Sequence, residues 1–282
     1  PPRSTLFPYT TLFRSNRCYW QGGFWEAARE ALALEPRLVT GVSGGAWAAC
    51  YSLAGIGPSV RRDVISACES ATRNFDWKGW RAGGALFPVG PLYRQLLENH
   101  LTEAVLADLR AKTDLQILIA RPPGHLPQGL AVALGIGLYQ IEKKVIAPVH
   151  PKGGKWLGFT PEFVRLRQTV DRAAWVDAML ASASVPPMVP VGIIAGAPAM
   201  DGGMVDNVPV QPLEAIEAQG GRTLVMLTRR YRKLPQIRGR TYIQPSVTPP
   251  VSQFELTNPG GIRTAYETGL KDGAAFVKAM GR

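Results

Sequence analysis

Ser43 stands among glycines in Gly41-Val42-Ser43-Gly44-Gly45, after the β-prone Leu38-Val39-Thr40 and before a helix-prone run from Ala46 to Ala54. A serine at such a strand-to-helix turn projects its hydroxyl from a strained elbow, and the N–H groups that open the helix lie where an oxyanion would form. The chemistry this pattern suits is nucleophilic attack on an acyl carbonyl. A plain glycine-serine helix entry has the same composition, so the motif needs a base beside it before it means catalysis.

An α/β-hydrolase triad takes that base from a histidine late in the chain, after the acid. The only histidines here are His100, His125 and His150, and none follows. His125 lies in a Pro/Gly loop, His150 precedes Pro151 and His100 sits in a charged helical stretch, so all three read as surface residues. The candidate base is then Asp201, in Ala199-Met200-Asp201-Gly202-Gly203-Met204-Val205-Asp206-Asn207-Val208-Pro209. The apolar residues 191–200 lead into it, and Gly202-Gly203 lets the backbone turn sharply and approach other backbone. A carboxylate among apolar neighbours has its pKa raised toward the range useful for accepting a proton. An ordinary Asp-Gly turn is the competing reading.

Taken together, and in this order, the two motifs resemble those of the patatin-like phospholipases. Ala181-Ser182-Ala183-Ser184-Val185-Pro186-Pro187 resembles the segment before that family's aspartate, and Asn207-x-Pro209 resembles its continuation. The resemblance implies an α/β fold of three layers, with a central, mostly parallel sheet flanked by helices. It implies hydrolysis of lipid or phospholipid esters through a Ser43–Asp201 dyad and an acyl-enzyme, supported by Gly41, Gly45, Gly202 and Gly203, with no cofactor and no metal. The family's third motif is a Gly-Gly-Gly-x-Arg-Gly loop whose N–H groups hold the oxyanion. Asn16 to Trp25 resembles the end of that loop and the helix after it, with Arg17 at the arginine position and Cys18 where the last glycine is usual. Arg17 and the N–H of Gly44 are thereby implied in oxyanion or substrate binding.

Where the three glycines belong stands Thr-Leu-Phe-Pro-Tyr-Thr-Thr-Leu-Phe-Arg-Ser, Thr5 to Ser15, which reads as the in-frame translation of a sequencing adapter. Residues 1–15 are therefore expected to be non-native, and residues 16–282 to form one patatin-like domain short of its first strand and glycine loop. Removing a main oxyanion donor costs about 2.7–4 kcal/mol of transition-state stabilisation. The chain as written is expected to turn over poorly.

Composition sets outer bounds. With 282 residues, 46% of them hydrophobic, the chain can bury a sizeable core. It has no apolar run long enough to span a bilayer. Cys18, Cys50 and Cys68 are odd in number and spaced for neither zinc nor a disulfide framework, which favours a reducing compartment. A cytoplasmic or membrane-peripheral location is the expectation. Lys and Arg outnumber Asp and Glu by 32 to 21. Arg229, Arg230, Arg232, Lys233, Arg238 and Arg240 crowd into one stretch, which suits anionic lipid headgroups at about 1 kcal/mol for each residue near the surface. A solvated loop explains the cluster equally well, and nucleic acid is a weak option because only Tyr231 interleaves it. Two further classes compete: an inactive patatin-like fold that binds lipid or a partner protein, and an acyltransferase with a Ser-His pair, against which the absence of a late histidine counts.

Elements that would position these residues follow from periodicity. Phe24, Ala28 and Leu32 are at helical spacing, with Pro36 closing that helix before the Leu38 strand. Pro58 opens an amphipathic helix with Val60, Val64, Ala71 and Phe75 on one face. Residues 92–112 read as helix with a break near Asn99, then a strand over 115–119. Residues 129–145 are open between strand and helix. Thr160-Pro161 reads as the cap of a short helix, residues 170–183 as a helix leading toward the aspartate, and 212–219 as a helix before a strand at 223–227. The Pro-rich stretch 244–251 reads as irregular, and Ile262, Tyr266 and Leu270 mark a last helix.

Overall fold

A computed structural model describes residues 15–71, 73–145, 149–150, 153–252 and 254–281. The adapter-like residues 1–14 lie outside them. A 3-10 turn at Ser15–Cys18 leads into α1 (Tyr19–Ala28), then β1 (Leu38–Val42), α2 (Gly44–Leu53), α3 (Gly57–Ser70), α4 (Trp77–Arg81), α5 (Val89–His100) and α6 (Glu103–Lys112). The middle of the chain forms β2 (Asp114–Arg121), α7 (Gln128–Val145), α8 (Gly153–Trp156) and β3 (Thr160–Arg165). After α9 (Arg172–Ser182) come β4 (Gly192–Ile194), β5 (Ala197–Asp201), α10 (Glu214–Ala218), β6 (Thr223–Met226), β7 (Arg240–Ile243) and α11 (Pro259–Met280).

β2 is the hub of the main sheet. Along one edge it pairs antiparallel with β3, from Gln116↔Arg165 to Arg121↔Thr160. A strand has only two edges, so β1 and β5 must share the other. β1 runs parallel to β2 as far as Val42↔Leu118, and β5 runs antiparallel to it, ending at Asp201↔Ile119. The C-terminal ends of β1 and β5 therefore meet head to head across a single peptide step of β2. β4 completes the sheet as a hairpin with β5, and β6 and β7 pair in parallel by themselves.

Alternation along these strands divides the core into two layers. Val39, Leu115, Ile117, Leu224 and Met226 face the helices α1, α2, α3, α5, α6, α9 and α11. Leu38, Val42, Leu118, Ala120 and Val225 face the opposite way, against α7 and the segments that follow Asp201. The expected α/β architecture, a sheet between helical layers, is present. Its pairing is more mixed than a mostly parallel sheet: among the described strands only β1–β2 and β6–β7 are parallel, because β3 and the β4–β5 hairpin return along β2 in the opposite sense.

In the first layer α1 lies directly against α11. A Cβ on Gly23 would stand 2.1 Å from the Tyr266 carbonyl oxygen, and one on Gly269 2.0 Å from that of Trp20, so the two helices touch backbone to backbone where only glycine fits. Trp20 is fully buried there and donates its indole N–H to Asp272 at 2.7 Å.

Three local expectations are corrected. Thr160-Pro161 opens a strand, not a helix: Pro161 faces Ala120 on β3, which has no second neighbour among the described strands, and an edge strand tolerates a missing N–H. Phe75 is not on the α3 face, since α3 stops at Ser70, the chain turns extended at Ala71, and Phe75 is half exposed. Residues 129–145, left open, are the helix α7.

Candidate active site

The head-to-head meeting of β1 and β5 delivers Ser43 and Asp201 to the same place. Asp201 is the last residue of β5 and Ser43 the first after β1, and the Ser43 hydroxyl donates to Asp201 Oδ2 at 2.9 Å although the two lie 158 positions apart in sequence. Ser43 adopts φ 53° and ψ −137°, a backbone setting that a non-glycine residue rarely takes and that costs about 1–3 kcal/mol. Neighbouring groups hold it there. The Ser43 N–H donates to Ser182 Oγ at 2.9 Å, and the Ser182 hydroxyl donates onward to the Leu118 carbonyl at 2.7 Å. The Ser43 carbonyl accepts the N–H of Ala46 at 3.0 Å as α2 begins. Gly41 is required by that sharp return, because a Cβ there would lie 2.6 Å from Ala46 Cα.

Asp201 is fully buried and equally restrained. Its N–H donates to the Ser184 carbonyl at 3.0 Å, and its Oδ1 accepts the N–H of Gly203 at 2.9 Å. That leaves Oδ2 aimed at Ser43. Gly202 packs directly on β2, where a Cβ would stand 2.3 Å from the Leu118 carbonyl oxygen. Leu118 thus receives both motifs, Gly202 by contact and Ser43 through Ser182.

Beside the pair opens a cavity of about 250 Å³. Ser43 and Gly44 form one end, and Tyr19, Trp25, Trp47, Tyr51, Val60, Val64, Tyr93 and Leu96 form largely apolar walls. Glu26, Arg29, Glu30 and Arg61 lie at its rim. There Tyr266 donates its hydroxyl to Glu26 at 2.6 Å, and the Arg61 guanidinium stacks 3.3 Å from the Tyr266 ring centre. Burial pushes the Cys18 thiol, also on the wall, up to about 12, and raises Tyr19 and Tyr51 well above the usual phenol value, so these walls are uncharged. Trp20 packs in the core, whereas Trp25 and Trp47, though largely buried, also line the cavity.

Gly44 and Gly45 open α2, and Gly44 borders the cavity. Arg17 is not brought to it. Its Nε donates to the Val251 carbonyl at 3.0 Å, and burial together with the nearby Arg229 charge lowers its pKa. No histidine lines the cavity: His100 contacts Asp63 at 2.7 Å and His150 contacts Asp206 at 3.0 Å. Among the described residues no cluster of acidic, histidine and cysteine side chains is placed to hold a metal ion. The basic stretch is not one patch, since Arg240 is drawn inside, its Nε donating to Glu217 at 2.9 Å. Sequence reasoning missed the bridging role of Ser182 and the walls Tyr51 and Tyr93. The small, hydroxyl-rich Ala181-Ser182-Ala183-Ser184 was the available signal for the first.

No curated protein matches the chain. Among solved structures it is similar to VipD from Legionella pneumophila, at 12% identity and a TM-score of 0.48, over 99% of this chain and 67% of that one. The family model for patatin-like phospholipases matches residues 15–214. That match takes in both converging strand ends and most of the chain, and the chain therefore belongs to the patatin-like phospholipase family.

Proposed function

We propose that the protein hydrolyses lipid esters by a two-step serine mechanism without histidine. The observation that carries this reading is the 2.9 Å hydrogen bond from Ser43 Oγ to the buried Asp201 carboxylate, with Ser43 on the lining of an apolar cavity. As Ser43 Oγ attacks the ester carbonyl carbon, its proton passes to Asp201 Oδ2. The tetrahedral oxyanion lies beside the N–H of Gly44, at the start of α2, where backbone donors and the helix dipole favour negative charge. Collapse breaks the bond to the alcohol, which leaves with the proton from Asp201, and an acyl-Ser43 ester remains. Water then attacks that ester, giving its proton to the same carboxylate; collapse breaks the bond to Ser43 Oγ, which takes the proton back from Asp201, and the fatty acid departs.

Walls of tryptophan, tyrosine and aliphatic side chains suit the acyl chain, and the charged rim suits a polar headgroup. Phospholipid is the substrate class this arrangement fits. The test compares the intact chain with Ser43→Ala and Asp201→Asn. Each substitution is expected to lower ester hydrolysis by on the order of 10⁴-fold. An alkyl fluorophosphonate should label the unsubstituted chain once and leave Ser43→Ala untouched, a readout that survives slow turnover. Full rate in both variants would overturn the dyad.

A further inference from the structure

Between α3 and α5 the chain makes an exposed excursion that the cavity does not use. Every described residue from Arg73 to Ala85 is exposed except Gly79, which is half-buried, and α4 within it buries nothing. Its side chains are nonetheless large and apolar: Phe75 is 50% exposed, Trp77 48% and Trp80 48%. The two indoles lie against each other, ring centres 4.9 Å apart, and the Arg81 guanidinium sits 5.6 Å from the Trp77 ring centre. The excursion is held in shape. Asp76 caps α4 by accepting the Gly79 N–H at 2.9 Å, and its own N–H donates to the Leu86 carbonyl at 2.8 Å. Solvent offers no return for holding two tryptophans in the open.

Charge narrows the choice of partner. Arg73, Lys78 and Arg81 lie beside the tryptophans along the chain, and the one carboxylate of residues 73–85, Asp76, is occupied in capping. Tryptophan belongs at a membrane-water boundary, its ring in the acyl region and its N–H among headgroups, and arginine and lysine beside it meet lipid phosphates. The excursion carries only three large apolar side chains, on and beside a five-residue helix, too few for the core of a standard-sized protein interface. It is the right size to dip into a bilayer surface.

We propose that the 73–85 excursion is an interfacial anchor for an anionic bilayer, with Trp77, Trp80 and Phe75 inserting and Lys78 and Arg81 meeting phosphate. The anchor is coupled to the cavity on both flanks. It runs directly into α5, which supplies Tyr93 and Leu96 to the wall. Asn74 Oδ1 accepts the Leu256 N–H at 2.7 Å, two residues from Phe254, another wall residue. Seating the anchor therefore sets the cavity close to the lipid surface, a consequence for turnover that rests on the hydrolase reading, whereas the binding does not.

Binding is measured by co-sedimentation of the full chain carrying Ser43→Ala, so that vesicles stay intact, on phosphatidylcholine with and without phosphatidylglycerol. Expected is binding that strengthens with phosphatidylglycerol and weakens with salt. Adding Trp77→Ala and Trp80→Ala should weaken it about 10-fold or more on both vesicles. Adding Lys78→Glu and Arg81→Glu should weaken it about five-fold or more per charge on anionic vesicles only. In the chain with Ser43 intact, the tryptophan variant should lose hydrolysis of vesicle lipid while keeping that of a water-soluble short-chain ester. Unchanged vesicle binding by the tryptophan variant overturns the anchor, as does a variant whose only defect is loss of self-association in sedimentation velocity. Failure of the hydrolase reading looks different: no ester of either kind is cleaved, and the vesicle binding remains.

Discussion

Ser182 governs the geometry of Ser43 from outside either motif. One hydroxyl accepts the Ser43 N–H and donates to Leu118, and so bridges a strained turn to the central strand. Ser182→Ala leaves two buried backbone groups without that partner, which should cost about 1–3 kcal/mol in denaturant unfolding. Hydrolysis by the proposed mechanism should fall by on the order of 10- to 100-fold through misplacement of the Ser43 hydroxyl, with Ser182→Thr, which keeps a hydroxyl at that position, restoring part of it. Gly202→Ala acts by contact alone. Its methyl group would meet the Leu118 carbonyl at 2.3 Å, and a stability loss of about 1–3 kcal/mol is expected by calorimetry. At this scale the two motifs were legible in the sequence because glycine and aspartate types at strand ends carry local geometric meaning. Ser182 was not, since nothing in a run of alanine and serine says which hydroxyl turns inward.

Elements bring their own requirements. α1 and α11 pack with Gly23 and Gly269 at the contact, so Gly269→Leu should separate the helices and lower stability by at least about 1–3 kcal/mol, measured as a shift in thermal midpoint. α10 is tied to β7 by the buried Arg240–Glu217 pair, whose side chains are 4% and 9% exposed. Removing one partner of such a pair costs about 3–5 kcal/mol, the loss expected for Arg240→Met at neutral pH. Periodicity disclosed most of the helices, including the break between α5 and α6. It failed where tertiary pairing decided the outcome. Thr160-Pro161 has the composition of a helix cap and becomes a strand because β2 offers it an open edge, and α7 lacked a clean period because it lies between two core clusters. No described helix is long and apolar enough to cross a membrane.

For the molecule as a whole, two titrations have a definite sign. Burial acts to raise the Glu217 carboxyl, but hydrogen bonds from Arg240 and Thr223 and the guanidinium charge outweigh it and hold the carboxyl below its usual 4.5. A depressed folded value means that the pair contributes fully above the unfolded value and is lost as pH falls through the lower one. The deficit of Arg240→Met should thus be complete at pH 7 and shrink in strong acid, read by unfolding at both pH values. The thiols behave in the opposite sense. All three are buried, with Cys18 and Cys50 pushed up to about 12 and Cys68 to about 11 by burial, so a thiol reagent at pH 8 should count none in the folded chain and three once it is unfolded. The fold class was readable from the motifs, while the mixed sense of the sheet was not, because strand direction depends on crossovers that leave no local mark.

β1 and β5 end against one peptide link of β2, and the surrounding helices supply only the walls. The spacing of hydroxyl and carboxylate is consequently set by sheet register, which tolerates no half-steps. On the proposed mechanism, selectivity for one acyl chain over another can accordingly be retuned by swapping wall residues such as Val60 or Leu96, with the Ser43–Asp201 spacing indifferent to the exchange.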